Sequence, residues 1–450
     1  MAFMVSPTID FDKKKRNTNR LHTVLTTPGG SRHLTRIIHE GVLPMNFDRR
    51  DFLKSTSLLS AGVAVPTFLA RTAQAAESRA KDSILVVVQL TGGNDGLNTV
   101  IPFKNELYAK YRPTLKVPVD RVLKIDDSYG LHPSLGGIHK LLEEKALGIV
   151  QGVGYPNPSQ SHFRSMDIWQ AASLRETLNE GWVGKALKSM NAPAFHVANQ
   201  NESAPLALTG APARVPSITS IEDFQLKMTA ATGADKKEQQ GVIQGAVKPN
   251  GNNSLLDFVS KTALNTYTSA QKLQEIGKNY QPKSPYPANN LLANRLKLCA
   301  QLIDAGLGAR IFYVALDGFD THANQGSVTG AHANLLTQVS DAIAAFYKDL
   351  AARGHKDRLL VMTFSEFGRR AKENGSRGTD HGSGAPMLLV GSRVKPGLIG
   401  EHPDLEKLEM GNLKHEIDFR QVYAGILDQW LGVNSKEVLG ESFKPVELFA

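Results

Sequence analysis

The chain has 450 residues, of which 41% are hydrophobic and 21% are charged, a composition typical of globular proteins. This composition excludes collagen-like, coiled-coil and wholly disordered classes, and the single cysteine, Cys299, excludes an internal disulfide and a thiolate metal cage. The formal charge of +9 lies mostly in residues 1–75, which carry eleven basic and five acidic side chains. The remainder indicates no basic face, and therefore no nucleic-acid partner.

Residues 1–44 are polar, basic and aperiodic, which is typical neither of a packed element nor of an export signal. Met45 lies four residues before the pair Arg49-Arg50. We therefore expect translation to begin at Met45, and residues 1–44 to be a wrongly assigned or disordered extension.

Residues 45–75 contain the parts of a twin-arginine signal peptide in order. The segment DRRDFLK at 48–54 precedes an uncharged, moderately apolar stretch at 55–70 and an A-x-A cleavage pattern at 73–75. This stretch is shorter than the roughly 20 residues of a stable membrane span. The alternative is a short buried helix that begins with a charged turn, but such a helix does not require this motif. We expect the twin-arginine translocase to export the folded chain, and cleavage before Ala76 to leave a periplasmic protein without a membrane span.

Residues 76–450 are predicted to form one α/β domain. Apolar runs rich in β-branched residues have the continuous pattern of strands buried on both faces of a parallel sheet. Helical patterns alternate with them, which predicts a three-layer, doubly wound, mainly parallel sheet. The predicted strands are 84–90, 147–153, 194–197, 310–316, 359–364 and 387–390, and the predicted helices are 133–145, 162–174, 181–190, 291–305, 332–353 and 419–431.

Residues 198–290 interrupt this alternation. They are rich in Thr, Gly, Asn, Gln and Pro, and the helical pattern within them is at 255–276. Two interpretations stay open: an inserted cap over the site, or a surface excursion without a role.

Several familiar site signatures do not occur in the sequence. It contains no G-x-x-x-x-G-K-[ST], no G-x-G-x-x-G after a strand, no H-E-x-x-H and no G-x-S-x-G. Nucleotide-binding, thermolysin-like and nucleophile-elbow sites therefore lose their usual support. The candidates are instead residues that follow predicted strands, the edge at which doubly wound sheets place their sites.

Four strand ends supply acids, histidines or a serine that could form a metal site. Each pattern is weak alone, because the serine could only cap its helix and an Asp-x-His pair arises by chance on surfaces. Together they favour a metal site over a collection of capping and surface residues. The candidates are Asp95, Ser161, Asp320, His322, Glu366, Asp380 and His381.

These segments resemble the domain-of-unknown-function family 1501, exported bacterial proteins related to the alkaline phosphatase and sulfatase superfamily. The resemblance covers the mature chain and implies an alkaline-phosphatase-like fold and an exported, metal-dependent hydrolase of phosphate or sulfate esters. The matching segments, beside the twin-arginine signal, are LTGGNDGLNTVIP from Leu90, SHFRSMDIWQ from Ser161, DTHANQ from Asp320, SEFGR from Ser365 and TDHG from Thr379.

The superfamily resemblance also implies one or two divalent ions, Zn, Mn, Ca or Mg, and an oxygen nucleophile at a helix start. It assigns Asp95, Asp380 and His381 to one metal. Ser161 is the implied nucleophile at that metal, with Thr99 and Ser159 as rivals.

The resemblance assigns Asp320 and His322 to the other metal. A later histidine is usual there, and His402 and His415 are the available residues. Arg164 or Arg369 could balance the charge of the substrate oxygens through bidentate contacts.

A second functional class stays open. The chain could be a non-catalytic exported protein that keeps the fold as a binding or assembly module, for instance for a cell-surface protein. A mature protein that takes up none of the four metals would favour this class.

Export generates the first prediction. Replacing Arg49 and Arg50 by lysine should trap the full-length precursor in the cytoplasm, because the arginine pair is the motif that the translocase reads. Cell fractionation and immunoblotting measure this. The matched control, Arg71→Lys, lies in the predicted signal peptide outside the arginine pair and should be exported normally, and a processed periplasmic product from the Arg49/Arg50 variant would contradict the prediction.

Overall fold

The computed structural model describes residues 82–199, 202–221, 275, 277 and 279–450. The predicted extension at 1–44 and signal peptide at 45–75 lie outside the described residues. So does the helix predicted at 255–276, apart from Glu275.

The described residues alternate between strands and helices. The predicted six strands and six helices are found within a few residues of their expected bounds, and several short elements add to them. In chain order the elements are β1 (Ile84–Leu90), α1 (Gly96–Thr99), β2 (Val100–Ile101), α2 (Glu106–Tyr111), β3 (Leu123–Lys124), β4 (Gly130–Leu131), α3 (Gly136–Glu143), β5 (Leu147–Gly154), α4 (His162–Ala171), α5 (Trp182–Met190), β6 (Ala194–Val197), β7 (Ser217–Ile218), α6 (Leu291–Asp304), β8 (Ile311–Leu316), α7 (Ala331–Ala352), β9 (Leu359–Phe364), β10 (Ala385–Val390), β11 (Gly397–Ile399), β12 (Ile417–Asp418), α8 (Phe419–Gly425), which continues into a π-helical turn at Ile426–Leu431, and α9 (Ser435–Leu439).

Among the described residues, nine strands form one central sheet. Its order is β11-β5-β10-β9-β1-β8-β6-β7, and β12 pairs with β5. All pairings are parallel except those of β10, which is antiparallel to β5 and β9. The strands β2, β4 and β3 form a small antiparallel sheet.

Helices cover both faces of the central sheet, as alternate residues of β1 demonstrate. Ile84, Val86 and Val88 pack into a core with residues of α3, α6 and α7. Leu85 and Val87 face a second core that contains residues of α4, α5 and α8. Successive side chains of a strand point to opposite faces, so a strand between two helical layers is apolar throughout. The predicted three-layer, mainly parallel α/β fold is confirmed.

The antiparallel strand β10 determines where the site can form. The carboxyl ends of β1, β5, β8 and β9 meet at one edge of the sheet because these strands run in the same direction. Since β10 runs the other way, the loop that enters it, with Asp380 and His381, lies at that same edge.

Residues 198–290 are the segment predicted as a cap. Two described parts of it pack against the main domain. Residues 217–218 form β7, which pairs with β6 at the edge of the sheet. Residues 280–286 lie against α7, where the buried carboxylate of Asp349 accepts hydrogen bonds from Tyr280 Oη (2.6 Å), Tyr286 Oη (3.1 Å) and the backbone N–H of Lys283 (2.6 Å). Arg353 Nε also donates to this carboxylate, over 3.1 Å. The buried carboxylate of Asp349 thus holds the polar, proline-rich residues 280–286 against α7.

Asp349→Ala should lower the free energy of unfolding by about 3–5 kcal/mol, because the change leaves buried donors and a cation without their acceptor. Urea denaturation followed by circular dichroism measures it. Asp341→Ala is the matched control: Asp341 is an exposed acid on the same helix, and its loss should change stability by less than about 0.5 kcal/mol. Equal losses of unfolding free energy in the two variants would show that the hydrogen bonds of Asp349 do not stabilise the fold.

Candidate metal centre

Three imidazoles and one carboxylate converge at the carboxyl edge of the sheet. His162 is the first residue of α4, Asp320 and His322 lie in the loop after β8, and His381 lies in the loop before β10. We call these four side chains the imidazole–carboxylate cluster. Ligand atoms of His162, Asp320 and His381 all lie within 4.8 Å of one another.

The distances in the cluster centre on Asp320. Its Oδ1 lies 3.1 Å from Nε2 of His322 and 3.2 Å from Nε2 of His381, and its Oδ2 lies 3.4 Å from Nε2 of His162. The Nε2 atoms of His322 and His381 are 2.8 Å apart. Three ring nitrogens therefore face one carboxylate.

On the side away from Asp320, the Nδ1 atoms of the rings lie next to hydrogen-bond acceptors. Nδ1 of His381 lies 2.7 Å from the carbonyl oxygen of Gln160, and Nδ1 of His162 lies 2.8 Å from Oε1 of Glu366. Both partners are acceptors, so a neutral ring that donates its Nδ1–H to them leaves Nε2 unprotonated on the side of the cluster. His322 has the same arrangement at longer range, with Nδ1 3.4 Å from Oδ1 of Asp380.

Helix α4 is anchored so that His162 reaches the cluster. Trp169 of α4 stacks on Phe364 at the end of β9, with ring centroids 5.7 Å apart. Ser165 Oγ donates to the carbonyl of Glu366 over 2.5 Å. Glu366 is itself fully buried and accepts from the backbone N–H of Gly92 over 2.8 Å. The end of β9 therefore positions both the helix and the ring of His162.

A buried arginine orients Asp320. Arg369 is 1% exposed and donates to Oδ1 of Asp320 over 2.6 Å. Partial burial would raise the pKa of Asp320, but the hydrogen bond and charge of Arg369 outweigh burial and lower that pKa below its usual value. The carboxylate is therefore ionised at neutral pH.

Asp380 supports the cluster from outside. Asn374 Nδ2 donates to Oδ1 of Asp380 over 2.9 Å and also to the carbonyl of His322 over 2.9 Å. The hydrogen bond from Asn374 lowers the pKa of Asp380, and His322 lowers it further against the effect of burial. Burial lowers the pKa of His381, which favours the neutral form of its ring. These are the protonation states that bind a cation.

The residues present fit a divalent transition-metal ion. Imidazole nitrogens suit zinc and its neighbours, whereas Ca²⁺ and Mg²⁺ prefer sites made of oxygen. Tetrahedral bonds of about 2.0–2.1 Å would place ligand atoms roughly 3.3–3.4 Å apart, and the residues whose ligand atoms all lie within 4.8 Å of one another are His162, Asp320 and His381. Acceptors that hold Nδ1 of each ring are also usual around histidine ligands.

The cluster is open to solvent on one side. The side chain of Asp320 is 47% exposed and that of His322 is 42% exposed, whereas His381 is 20% exposed. A ligand from solution can therefore reach the carboxylate.

Asp95, predicted as a metal ligand, lies away from the cluster as a buried ion-paired residue. Its carboxylate is 1% exposed and accepts from Arg112 over 2.5 and 3.0 Å and from Gln325 Nε2 over 2.6 Å. Burial would raise the pKa of Asp95, but Arg112 lowers it to about 2. Because both oxygens are already engaged, the structure corrects the expected role of Asp95 as a ligand. No pattern in the sequence indicates that Arg112, seventeen positions later, pairs with it.

The three hydroxyl candidates for the nucleophile differ in accessibility. Ser161 is exposed at the N-cap of α4, and its hydroxyl makes no capping hydrogen bond. Ser159 is half-buried, and its hydroxyl accepts from the backbone N–H of Ser161 over 3.2 Å. Thr99 is 2% exposed and bonds to Asn94 and to the carbonyl of Asp95. Burial takes Thr99 out of reach of a substrate.

Neither arginine predicted to bind substrate is free to do so. Arg164 donates to the backbone carbonyls of Leu174 and Arg175, over 3.1 and 2.5 Å. The guanidinium of Arg369 donates hydrogen bonds to Asp320 and to the backbone carbonyls of four loop residues. Their hydrogen bonds correct that expectation, since each arginine holds the chain in shape.

His402 and His415 lie outside the cluster. Nδ1 of His402 lies 2.9 Å from the carbonyl of Pro403, and its ring stacks on Tyr129 with centroids 5.1 Å apart. His415 lies beside Gly154. Neither belongs to the group of metal-ligating atoms found among the described residues.

Sequence reasoning missed the role of His162. The residue lies inside the SHFRSMDIWQ segment, where the pattern predicts only the start of a helix. The one available signal was its position directly after Ser161, at the same strand end as the other candidates.

No helix among the described residues is both long enough and apolar enough to cross a membrane.

Several solved structures resemble the chain weakly. The PsFucS1 sulfatase from Pseudoalteromonas sp. has 12% identity and a TM-score of 0.36, over 88% of this chain and 74% of that one. The zinc complex of the C-terminal periplasmic domain of EcEptC from Escherichia coli has 10% identity and a TM-score of 0.31, over 70% and 74%. Alkaline phosphatase from the Antarctic bacterium TAB5 has 12% identity and a TM-score of 0.27, over 69% and 92%. Likeness at this level carries no argument about the activity of this chain.

Comparison with the curated proteins finds no match. The family comparison is decisive, since residues 82–441 match the family described as "Protein of unknown function (DUF1501)". This range includes every residue of the imidazole–carboxylate cluster. The resemblance identified from the sequence motifs is confirmed, and the chain belongs to the DUF1501 family.

Proposed function

We propose that the protein is an exported, metal-dependent hydrolase of phosphate or sulfate esters. The observation that carries this proposal is the convergence of three imidazole Nε2 atoms on the ionised carboxylate of Asp320, at 3.1–3.4 Å. With Nε2 unprotonated, the three lone pairs and the carboxylate repel one another, and a cation among them would remove that repulsion. Export rests on the signal motif around Arg49-Arg50, and the twin-arginine translocase is the proposed partner in that step.

The imidazole–carboxylate cluster would hold the metal. His162, His322 and His381 would supply imidazole nitrogens, and Asp320 would supply the negative charge. When bound, a divalent ion polarises the ester oxygens and lowers the pKa of a nearby hydroxyl. Glu366 and the carbonyl of Gln160 keep two of the rings aimed inward. This donor set favours Zn²⁺ over Mn²⁺, Ca²⁺ or Mg²⁺.

Ser161 is the proposed nucleophile. It stands between Gln160 and His162, which both contribute to the cluster, and its hydroxyl is exposed at the start of a ten-residue helix. Free N–H groups at a helix start favour the negative charge of a phosphate or sulfate group. Attack by Ser161 Oγ on phosphorus or sulfur forms a serine ester and breaks the ester bond of the substrate, and the alcohol leaves with the proton that the serine hydroxyl gives up. Water then cleaves the serine ester: its oxygen leaves with the phosphate or sulfate group, and one of its protons restores the Ser161 hydroxyl.

Metal binding is the first test. His162→Ala and His381→Ala should each lower Zn²⁺ affinity by more than the roughly 10- to 100-fold typical of changes around a ligand, measured by competition with a chromogenic chelator. His139→Ala is the matched control, because His139 lies on α3 and bonds to the carbonyl of Lys124. Wild-type protein that takes up neither Zn²⁺ nor Mn²⁺ would refute the proposal and favour the non-catalytic binding module.

Turnover is the second test. With a panel of chromogenic phosphate monoesters, phosphate diesters and sulfate esters, Ser161→Ala should reduce kcat at least about 10³-fold while Zn²⁺ affinity is kept. Ser159→Ala should retain turnover, since Ser159 is half-buried and its hydroxyl accepts a backbone hydrogen bond. The reverse outcome would make Ser159 the nucleophile, and metal-loaded wild-type protein inactive on the whole panel would favour the binding module.

A further inference from the structure

Beneath the imidazole–carboxylate cluster lies a chain of buried hydrogen bonds that ends at its loops. Gln325 is fully buried. Its Nε2 donates to Oδ2 of Asp95 over 2.6 Å. Its Oε1 accepts from the hydroxyls of Thr321 and Thr379, over 3.0 and 2.7 Å. We call Asp95, Gln325, Thr321 and Thr379 the amide relay.

The two threonines of the amide relay stand beside the proposed ligands. Thr321 lies between Asp320 and His322, and Thr379 comes two residues before His381. Both threonines are buried, so neither hydroxyl has water as a substitute partner. A single amide oxygen thus joins the loop after β8 to the loop before β10.

The two loops touch closely where the relay joins them. The backbone N–H of Thr379 donates to the carbonyl of Thr321 over 3.1 Å. A Cβ placed on Gly378 would lie 2.2 Å from the carbonyl carbon of His322, so only glycine fits there. The relay therefore joins the two ligand-bearing loops at a point where their backbones are in direct contact.

The carboxylate of Asp95 determines the orientation of the Gln325 amide. A carboxylate can only accept hydrogen bonds, so it requires the NH₂ end of the Gln325 amide to point toward it. The oxygen end of that amide must then face the two threonine hydroxyls. Arg112 holds the carboxylate from the other side with two hydrogen bonds.

We propose that Asp95 and Gln325 are positioning residues that set the distance between Asp320 and His322 on one loop and His381 on the other. The inference rests on the proposed function, since the quantity that it controls is the affinity of the cluster for its metal. Removing a contact that orients the ligands of a metal typically lowers metal affinity by about 10- to 100-fold. Asp95 thus acts on the metal centre through Gln325, although its own oxygens do not face the cluster.

Removing one hydroxyl tests the relay with little change of shape. Thr379→Val keeps the volume of the side chain but removes the donor to Gln325, whereas Thr379→Ser keeps the donor and removes a methyl group. For the purified full chain, Thr379→Val should weaken Zn²⁺ binding about 10-fold or more, and Thr379→Ser should stay within about threefold of wild type. Thr337→Val is the control on α7, where the hydroxyl donates only to the carbonyl of Ala333, and it should leave the affinity unchanged.

A double-mutant cycle and a spectrum separate positioning from general damage. In a Gln325→Met background, adding Thr379→Val should weaken Zn²⁺ binding no further, because the shared acceptor is already gone. The visible absorption bands of bound Co²⁺ should shift in Thr379→Val and return in Thr379→Ser, since they report the geometry of the ligands. Thermal unfolding of the metal-free variants checks that they are folded, and Thr321→Val replaces Thr379→Val if that variant is not.

The outcomes are distinguishable. Unchanged Zn²⁺ affinity and an unchanged Co²⁺ spectrum in Thr379→Val, with metal bound normally by wild type, would overturn the relay and leave the proposed function standing. Equal losses in Thr379→Val and Thr379→Ser would also overturn it, because packing of the methyl group would then be the cause. Wild-type protein that binds neither Zn²⁺ nor Co²⁺ would overturn the proposed function and the relay together.

Discussion

The candidate site depends on one buried cation. Arg369 is almost fully buried, and it binds the backbone carbonyls of Gly92, Gly93, Phe319 and Thr379 as well as the carboxylate of Asp320. A buried guanidinium is tolerated only when its donors are satisfied and its charge is paired. The loops after β1, β8 and β9 and the loop before β10 must therefore close around Arg369, and Asp320 must remain at the sheet edge. The arrangement of the imidazoles follows from that closure.

The site has two layers with different tasks. The outer layer is the partly exposed imidazole–carboxylate cluster, where a ligand from solution can enter. The inner layer is a buried polar network in which Asp95 pairs with Arg112, Gln325 links two loops, and Glu366 holds His162. Fully satisfied buried networks are rigid, because breaking any member leaves a polar group without water. A rigid inner layer suits an outer layer whose spacing must match a small ion.

Two features of the site illustrate the limit of pattern reading. Asp95 and Asp320 look alike in the sequence, since each is an acid in a loop after a strand, yet one is buried against Arg112 and the other is 47% exposed. His162 and His415 both follow β5, yet of the two only His162 belongs to the cluster. The decisive partner is Arg112, 17 positions from Asp95, in the first case and Glu366, 204 positions from His162, in the second, and hydrophobic periodicity carries no information about such partners.

The sequence by itself determined the architecture of this protein. Continuous apolar runs and amphipathic segments report burial on two faces or on one, which is a local property, so the strands, helices and three layers could be predicted. It also determined which strand ends carry acids, histidines and hydroxyls, and to which family the chain belongs. The tertiary structure decided the direction of β10, and with it the edge at which His381 lies. It also decided which carboxylates are consumed by arginines and which face solvent. Those outcomes depend on contacts between residues far apart in the sequence, such as His162 and Glu366, which are 204 positions apart. Such contacts exist only once the chain has folded.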